Sequence, residues 1–200
     1  MDAKTQKSEL TRAAIIGAGI DLASEQGLEA ITLQAVADRV ELSKSGVFSR
    51  VGSREALQKA VIEEFGRRFL ADVFVPAMQA PKGLPRLQEI VQRWIVRTRD
   101  VEAHTGCIYS AGAFELDDRE GPLREALHAE ITRWRAALRR TVQLAVDAGH
   151  LKPDTDPGQV VSEINSLILG LLHDARFLRE PRAADRALAT WQRLLQTYLT

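Results

Sequence analysis

Cysteine is almost missing from this 200-residue chain: Cys107 stands alone, so no internal disulfide can form and the fold needs no oxidising compartment. An excess of either charge is missing too. Lys and Arg number 27, Asp and Glu 27, and the formal net charge is zero. That excludes a protein that coats nucleic acid by bulk charge, while leaving room for one local basic patch. Long apolar runs are absent. The longest, SLILGLL at 166–172, is far below the ~20 residues that span a bilayer. The polar opening MDAKTQKSEL does not read as a signal peptide. Ser-His-Asp patterns, glycine-rich phosphate loops and HExxH are not found, so no catalytic residue and no cofactor is expected. His104 and Cys107 have metal-like spacing, with Glu115, Asp117, Asp118 and Glu120 nearby. A metal needs several converging ligands, and solvated or capping roles suit these residues better.

What remains is ordinary globular material, 45% apolar and 27% charged, enough for a sizeable core. No stretch alternates with period two for long enough to be a strand, and helical spacing recurs throughout. The expected fold class is all-α: an N-terminal three-helix head on a larger helical body. Residues 1–8 read as a mildly basic arm, followed by a helix from Glu9 to Gln26 that Gly27 stops. Thr32 is the expected cap of a second helix through Val40, and Ser43 of a short third one to Val51. Ser53 opens a fourth that Pro76 ends. Further helices are expected over 84–101, 107–115, 122–149 and 157–178, with a last one after Pro181. Asp156-Pro157 is a strong start signal, a capping carboxylate before a residue with no N–H to satisfy.

The most informative stretch is Ile31 to Leu57, two short helices around a tight turn with a third directly behind. This is the arrangement that places one helix in a major groove. Leu33, Val36, Ala37, Val40, Leu42, Val47 and Phe48 are its candidate packing residues. The small Ala37 allows close helix approach. Arg39, Lys44, Arg50, Arg54 and Lys59 face only Glu41 and Glu55, a local excess of three positive charges. Candidate DNA-contacting residues are Thr32, Gln34, Ser43, Lys44, Ser45, Gly46, Phe48, Ser49, Arg50 and Arg54. Short side chains at the start of the third helix let its backbone approach base edges. Lys44 and Arg50 have the reach for phosphate or guanine. The free N–H groups opening the fourth helix suit a phosphate, with Arg54 adding charge.

Thr32, Val36-Ala37, Leu42-Ser43-Lys44, Phe48, Val51 and Ser53-Arg54-Glu55-Ala56-Leu57 together resemble the DNA-binding domain of the TetR family of bacterial transcription regulators. The resemblance covers about residues 9–60. Glu41 stands where that family usually has glycine, Phe48 where it has tyrosine, Val51 where it has phenylalanine and Arg54 where it has lysine. The missing tyrosine hydroxyl implies weaker or redistributed backbone contact. The resemblance implies a homodimeric, ligand-responsive regulator, with 1–52 as DNA-binding domain and 53–200 as ligand-binding and dimerisation domain. A repressor in the cytoplasm, released from its operator by a small molecule, is the expected function. A binding protein with a silent head and, less favoured, a helical enzyme are the alternatives. Polar or aromatic residues among apolar ones are the pocket candidates: Trp94, Cys107, Tyr109, Phe114, Trp134, Asn165 and His173. Leu167, Leu171, Leu172, Leu188, Trp191, Leu195 and Tyr198 are the candidates for a four-helix interface with a second copy.

Overall fold

The computed structural model describes residues 3–200. Its elements are α1 (Ala3–Gln26), a 3-10 turn (Leu28–Ala30), α2 (Leu33–Arg39), α3 (Lys44–Val51), α4 (Arg54–Phe69), α5 (Leu84–Arg97), α6 (Ile108–Glu115), α7 (Pro122–Asp147), α8 (Pro157–Leu172) and α9 (Ala183–Tyr198). Among the described residues β structure is limited to one bridge between Leu151 and Leu199, so the chain is all-α.

The caps behave as local chemistry requires. Thr32 accepts from the Ala35 N–H, Ser43 from Gly46 and Asp156 from Gly158. Three boundaries differ from the sequence expectation. The arm at residues 1–8 is helical from Ala3, and its first two residues lie outside the described ones. Pro76 does not end the fourth helix. A π-helical turn over Leu70–Phe74 widens the path, and Val75–Ala77 continues beyond it. Proline has no N–H and its ring presses on the carbonyl four residues back, so a wider turn just before it relieves both demands. The fifth helix likewise runs past Val101, through a π-helical turn at Thr98–Glu102 to Thr105.

Two compact units result. One gathers residues 1–67 with 107–131, the other 68–106 with 132–200. In the first, Ile15, Leu28, Ile31, Val36, Ala37, Val47, Leu57 and Ile62 are fully or almost fully buried. At Gly112 a Cβ would come within 2.6 Å of Leu28 and 2.9 Å of Leu127, so α6 approaches closely there. In the second, Leu87, Ile90, Val91, Leu138, Val142, Val160, Val161 and Ile164 form one core with Trp94, Trp134 and Trp191.

The turn between α2 and α3 explains how glutamate replaces glycine. Glu41 has φ 55°, in the left-handed region. The Leu42 N–H donates to the Ala37 carbonyl at 3.0 Å, the six-to-one bond that closes a helix through a left-handed residue. The turn is therefore the one glycine makes, held by a residue for which that conformation costs roughly 1–2 kcal/mol. Glycine's greater freedom when unfolded offsets about 0.4–1 kcal/mol of the relief. Glu41→Gly is expected to stabilise the protein by roughly 0.5–1 kcal/mol and Glu41→Val to destabilise it by more than about 1 kcal/mol, read as urea midpoints. Equal midpoints for all three proteins would refute the strain.

Candidate nucleic-acid interface

The head is organised around the connection from Gly27 to Ile31. The Glu115 carboxylate accepts from the Leu28 and Glu29 N–H groups, each at 2.8 Å. Gly27 has φ 92°, and a Cβ there would lie 2.8 Å from the same carboxylate, so glycine is required twice over. From α4, Arg54 donates to the Ile31 carbonyl at 3.0 Å and to the Glu29 carbonyl at 2.7 Å, and Gln58 donates to Leu28 at 3.1 Å. Arg119 pairs with Glu29 at 2.8 Å. A loop with few backbone partners of its own is thus satisfied by side chains from three directions.

This geometry sorts the candidates. Arg54 is engaged with loop carbonyls, a structural task that its place at a helix start did not reveal. Arg39 forms a two-pronged pair with Glu25 of α1, at 2.7 and 3.1 Å, and that hydrogen bonding holds the Glu25 carboxyl below its ordinary pKa. Arg50 folds back along α3, donating to the Gly46 carbonyl at 2.8 Å and to Ser49 at 3.3 Å. Among the described residues no ion pair engages Lys44, which is exposed. Gln34 is exposed and donates to Asp38, while the Thr32 hydroxyl is committed to its cap.

Phe48 differs from its expected packing role. It is 56% exposed, while its neighbour Val47 is buried. Lys44, Ser45, Phe48 and Ser49 share the outer face of α3. Ser43 and Ser45 touch through their hydroxyls at 3.1 Å, and Gly46 is half-buried between the faces.

In the second unit Trp94 and Trp134 come together at 5.2 Å between ring centroids. Phe69 completes the group, 5.3 Å from Trp94 and 4.7 Å from Trp134, and Phe74 stands 5.9 Å from Trp134. All four contacts are edge-to-face, each contributing about 0.5–1.5 kcal/mol beyond burial. Arg97 lies over Phe69 at 5.7 Å and is held by Asp72 and, at 3.2 Å, by Glu102. The other pocket candidates scatter. Cys107 and Tyr109 belong to the first unit, where Tyr109 packs on Phe65 at 5.0 Å. Phe114 and His173 are exposed, and Asn165 donates to Val161 on its own helix. Phe69, Phe74, Arg97 and Glu102 went unnoticed in the sequence, because nothing local marks which side of a helix meets a partner far along the chain.

The interface candidates also divide. Leu171, Trp191 and Leu195 are buried in the core of their own unit and have little area left for a partner. Leu167, Leu172, Leu188 and Tyr198 are half-buried. Burial and the hydrogen bond to Glu163 at 2.7 Å push the Tyr198 phenol up to about 12. Leu169 at 41% and Phe177 at 76%, with Leu178 beside it, are among the exposed apolar residues that were not interface candidates.

Two family descriptions match the sequence. Residues 15–61 fit the bacterial regulatory proteins of the tetR family, and residues 83–191 fit the tetracyclin repressor-like C-terminal domain. The chain belongs to the TetR family. It is therefore a DNA-binding transcription regulator with a ligand-binding C-terminal domain, not an enzyme. Solved structures with this fold include a TetR transcriptional regulator from Chloroflexus aurantiacus, 20% identical, TM-score 0.83, covering 98% of this chain and 100% of that one. A TetR-family regulator from Cytophaga hutchinsonii is also 20% identical, with TM-score 0.80 and 97% of each chain covered. AibR in complex with isovaleryl coenzyme A and operator DNA is 18% identical, with TM-score 0.66, covering 90% of this chain and 96% of that one. No curated protein matches the chain closely enough to count as a relative. Among the described residues no helix is long and apolar enough to cross a membrane.

The loop clamp of this TetR-family head is open to direct measurement. Glu115→Ala leaves two amide N–H groups without their acceptor and is expected to destabilise by about 1–3 kcal/mol. Hydrogen exchange at Leu28 and Glu29 is expected to quicken before the rest of the head. Unchanged protection at both amides would show that Glu115 does not hold the loop.

Proposed function

We propose that this regulator is a cytoplasmic homodimeric repressor, released from a near-palindromic operator when a small molecule binds the body. Residues 1–52 form the DNA-binding domain and 53–200 the ligand-binding and dimerisation domain. The observation that carries the reading is the outer face of α3. It presents Lys44, Ser45, Phe48 and Ser49 to solvent, with a phenylalanine 56% exposed. An apolar ring held in water on a helix of eight residues is costly unless something covers it. Base edges suit that role, since thymine methyl groups accept apolar contact and serine reads either pair. Lys44 supplies the phosphate contact, and the Ser53-capped start of α4 offers its remaining N–H groups to the backbone. Arg50 and Arg54 stabilise the head, with Thr32, Ser43 and Gly46 shaping its helix starts and Gln34 at its exposed margin.

Two copies would place their α3 helices in successive major grooves, ~34 Å apart on one DNA face. A ligand needs to favour a mismatched head spacing by only a few kcal/mol, because ~1.4 kcal/mol is a tenfold change. AibR, solved in complex with isovaleryl coenzyme A and operator DNA, is a protein of this fold that holds a small molecule and an operator together.

Gel shift on the DNA upstream of the chain's own gene tests the reader. Lys44→Ala is expected to weaken binding and lower the salt slope by about one unit. Phe48→Ala is expected to weaken specific binding more than random-DNA binding. Wild-type behaviour in both variants would remove α3 from the interface.

The dimer surface we assign to α8 and α9 centres on Leu169, Gly170 and Phe177, flanked by the half-buried Leu167, Leu172, Leu188 and Tyr198. A Cβ at Gly170 meets nothing within 4 Å in the single chain. Gly170→Arg is therefore compatible with the subunit fold and raises helix propensity. It is expected to convert the dimer to monomers in sedimentation, with unchanged circular dichroism. A Gly170→Arg protein that sediments as a dimer would place the interface elsewhere.

A further inference from the structure

We propose that the aromatic core of the second unit is the ligand site, and that its ligand is an uncharged aromatic molecule bearing a hydrogen-bond acceptor such as a ketone oxygen. This rests on the reading of the chain as a ligand-responsive regulator and adds the chemical class. The indole Nε1 atoms of Trp94 and Trp134 are both buried without a hydrogen-bond partner. Their residues are only 8% and 6% exposed, and their rings stand 5.2 Å apart. An unsatisfied buried N–H costs about 1–3 kcal/mol, so two in adjacent rings mark a place built for a visitor. Indole N–H groups only donate, so the visitor brings an acceptor.

The surroundings narrow its chemistry. Phe69 and Phe74 meet the two indoles edge-to-face, so a flat ring that takes the place of Phe74 keeps those edges covered. Arg97 lies one helical turn from Trp94, and it is already held by Asp72 and by Glu102, which is 1% exposed. A carboxylate ligand would add negative charge beside a buried carboxylate whose cation is committed, so a neutral acceptor is favoured. Phe74 supplies the way in. It is the half-buried ring of the four and sits on the π-helical turn Leu70–Phe74, where hydrogen bonding is weaker than in an α-helix. Swinging it off Trp134 uncovers the indole.

The chain has three tryptophans, so the ¹⁵N-labelled full-length protein displays three indole N–H signals, with Trp191 as internal control. Three probes of similar shape separate the possibilities: acetophenone (acceptor, neutral), isopropylbenzene (no acceptor) and benzoate (acceptor, charged). Acetophenone is expected to move the Trp94 and Trp134 signals downfield in a saturable way and leave Trp191 in place. Isopropylbenzene is expected to produce no downfield movement, and benzoate to bind at least tenfold more weakly than acetophenone. Trp134→Phe is expected to weaken acetophenone about tenfold and leave isopropylbenzene unchanged, which a purely packing role would not do.

The proposal is overturned if no indole signal responds to millimolar acetophenone, if all three move alike, or if benzoate binds best. Should Trp134→Phe fail to fold, the contrast among the three probes on wild-type protein decides alone. Operator gel shift on the same preparation separates the two readings. Operator binding with silent indoles sinks the ligand class and leaves the regulator. Responsive indoles without binding to the upstream DNA support the site and sink the proposed operator.

Discussion

The polar clamp on the Gly27–Ile31 connection is the constraint from which the head follows. Helices of seven and eight residues are too short to persist in water, so α2 and α3 take their order from what they pack against. Their position is set where α1 hands over to them, and that handover has few backbone hydrogen bonds of its own. Glu115, Arg54 and Gln58 satisfy its N–H and C=O groups, while Gly27 provides the space for the carboxylate to approach. A loop pinned in this way turns a marginal hairpin into a rigid platform. Rigidity matters for a reader, because a helix must enter a groove in one register to distinguish bases.

Once the platform is rigid, exposure becomes informative. Val47 anchors α3 inward, and Phe48 falls on the exposed side that it shares with Lys44, one turn earlier. The same logic redistributes charge. Arg39, Arg50 and Arg54 turn toward Glu25, the Gly46 carbonyl and the loop carbonyls respectively, and the outward cation on α3 is Lys44. A sequence count of positive residues overstates the basic patch, since guanidinium groups are good partners for carbonyls at helix and loop ends. The strained Glu41 shows a similar compromise. The turn geometry is kept, with its closing hydrogen bond from Leu42 to Ala37, at some expense in backbone energy.

The second unit leaves groups without partners in two separate ways. Its interior leaves two indole donors unanswered within a ring cluster, and its surface leaves Leu169 and Phe177 uncovered around an open glycine. Natural cores rarely tolerate the first, and helices bearing apolar side chains rarely leave the second bare. Three π-helical turns, at Leu70–Phe74, Thr98–Glu102 and His173–Phe177, occur in this same unit. Such turns are rare and occur frequently at functional sites.

Helix positions, caps and the head motif were legible from residues alone, because they depend on neighbours three or four positions away. Thr32, Ser43 and Asp156 cap as their chemistry dictates, and the stripes of α5, α7 and α8 bury as their spacing requires. The path through Pro76 was not legible, since a widened turn satisfies proline in a way that a residue pattern does not announce. Nor was the fate of individual side chains. Trp191 and Leu195 read equally well as interface or core, and only the packing of their unit made them core. Trp94 and Trp134, distant along the chain, became one ring cluster only when α5 and α7 met. Local sequence determines where helices begin, end and turn a greasy face, because those energies arise within a few residues. Which partner that face meets, and which polar atoms are left waiting, arises from contacts between distant segments, and only the tertiary structure decides it.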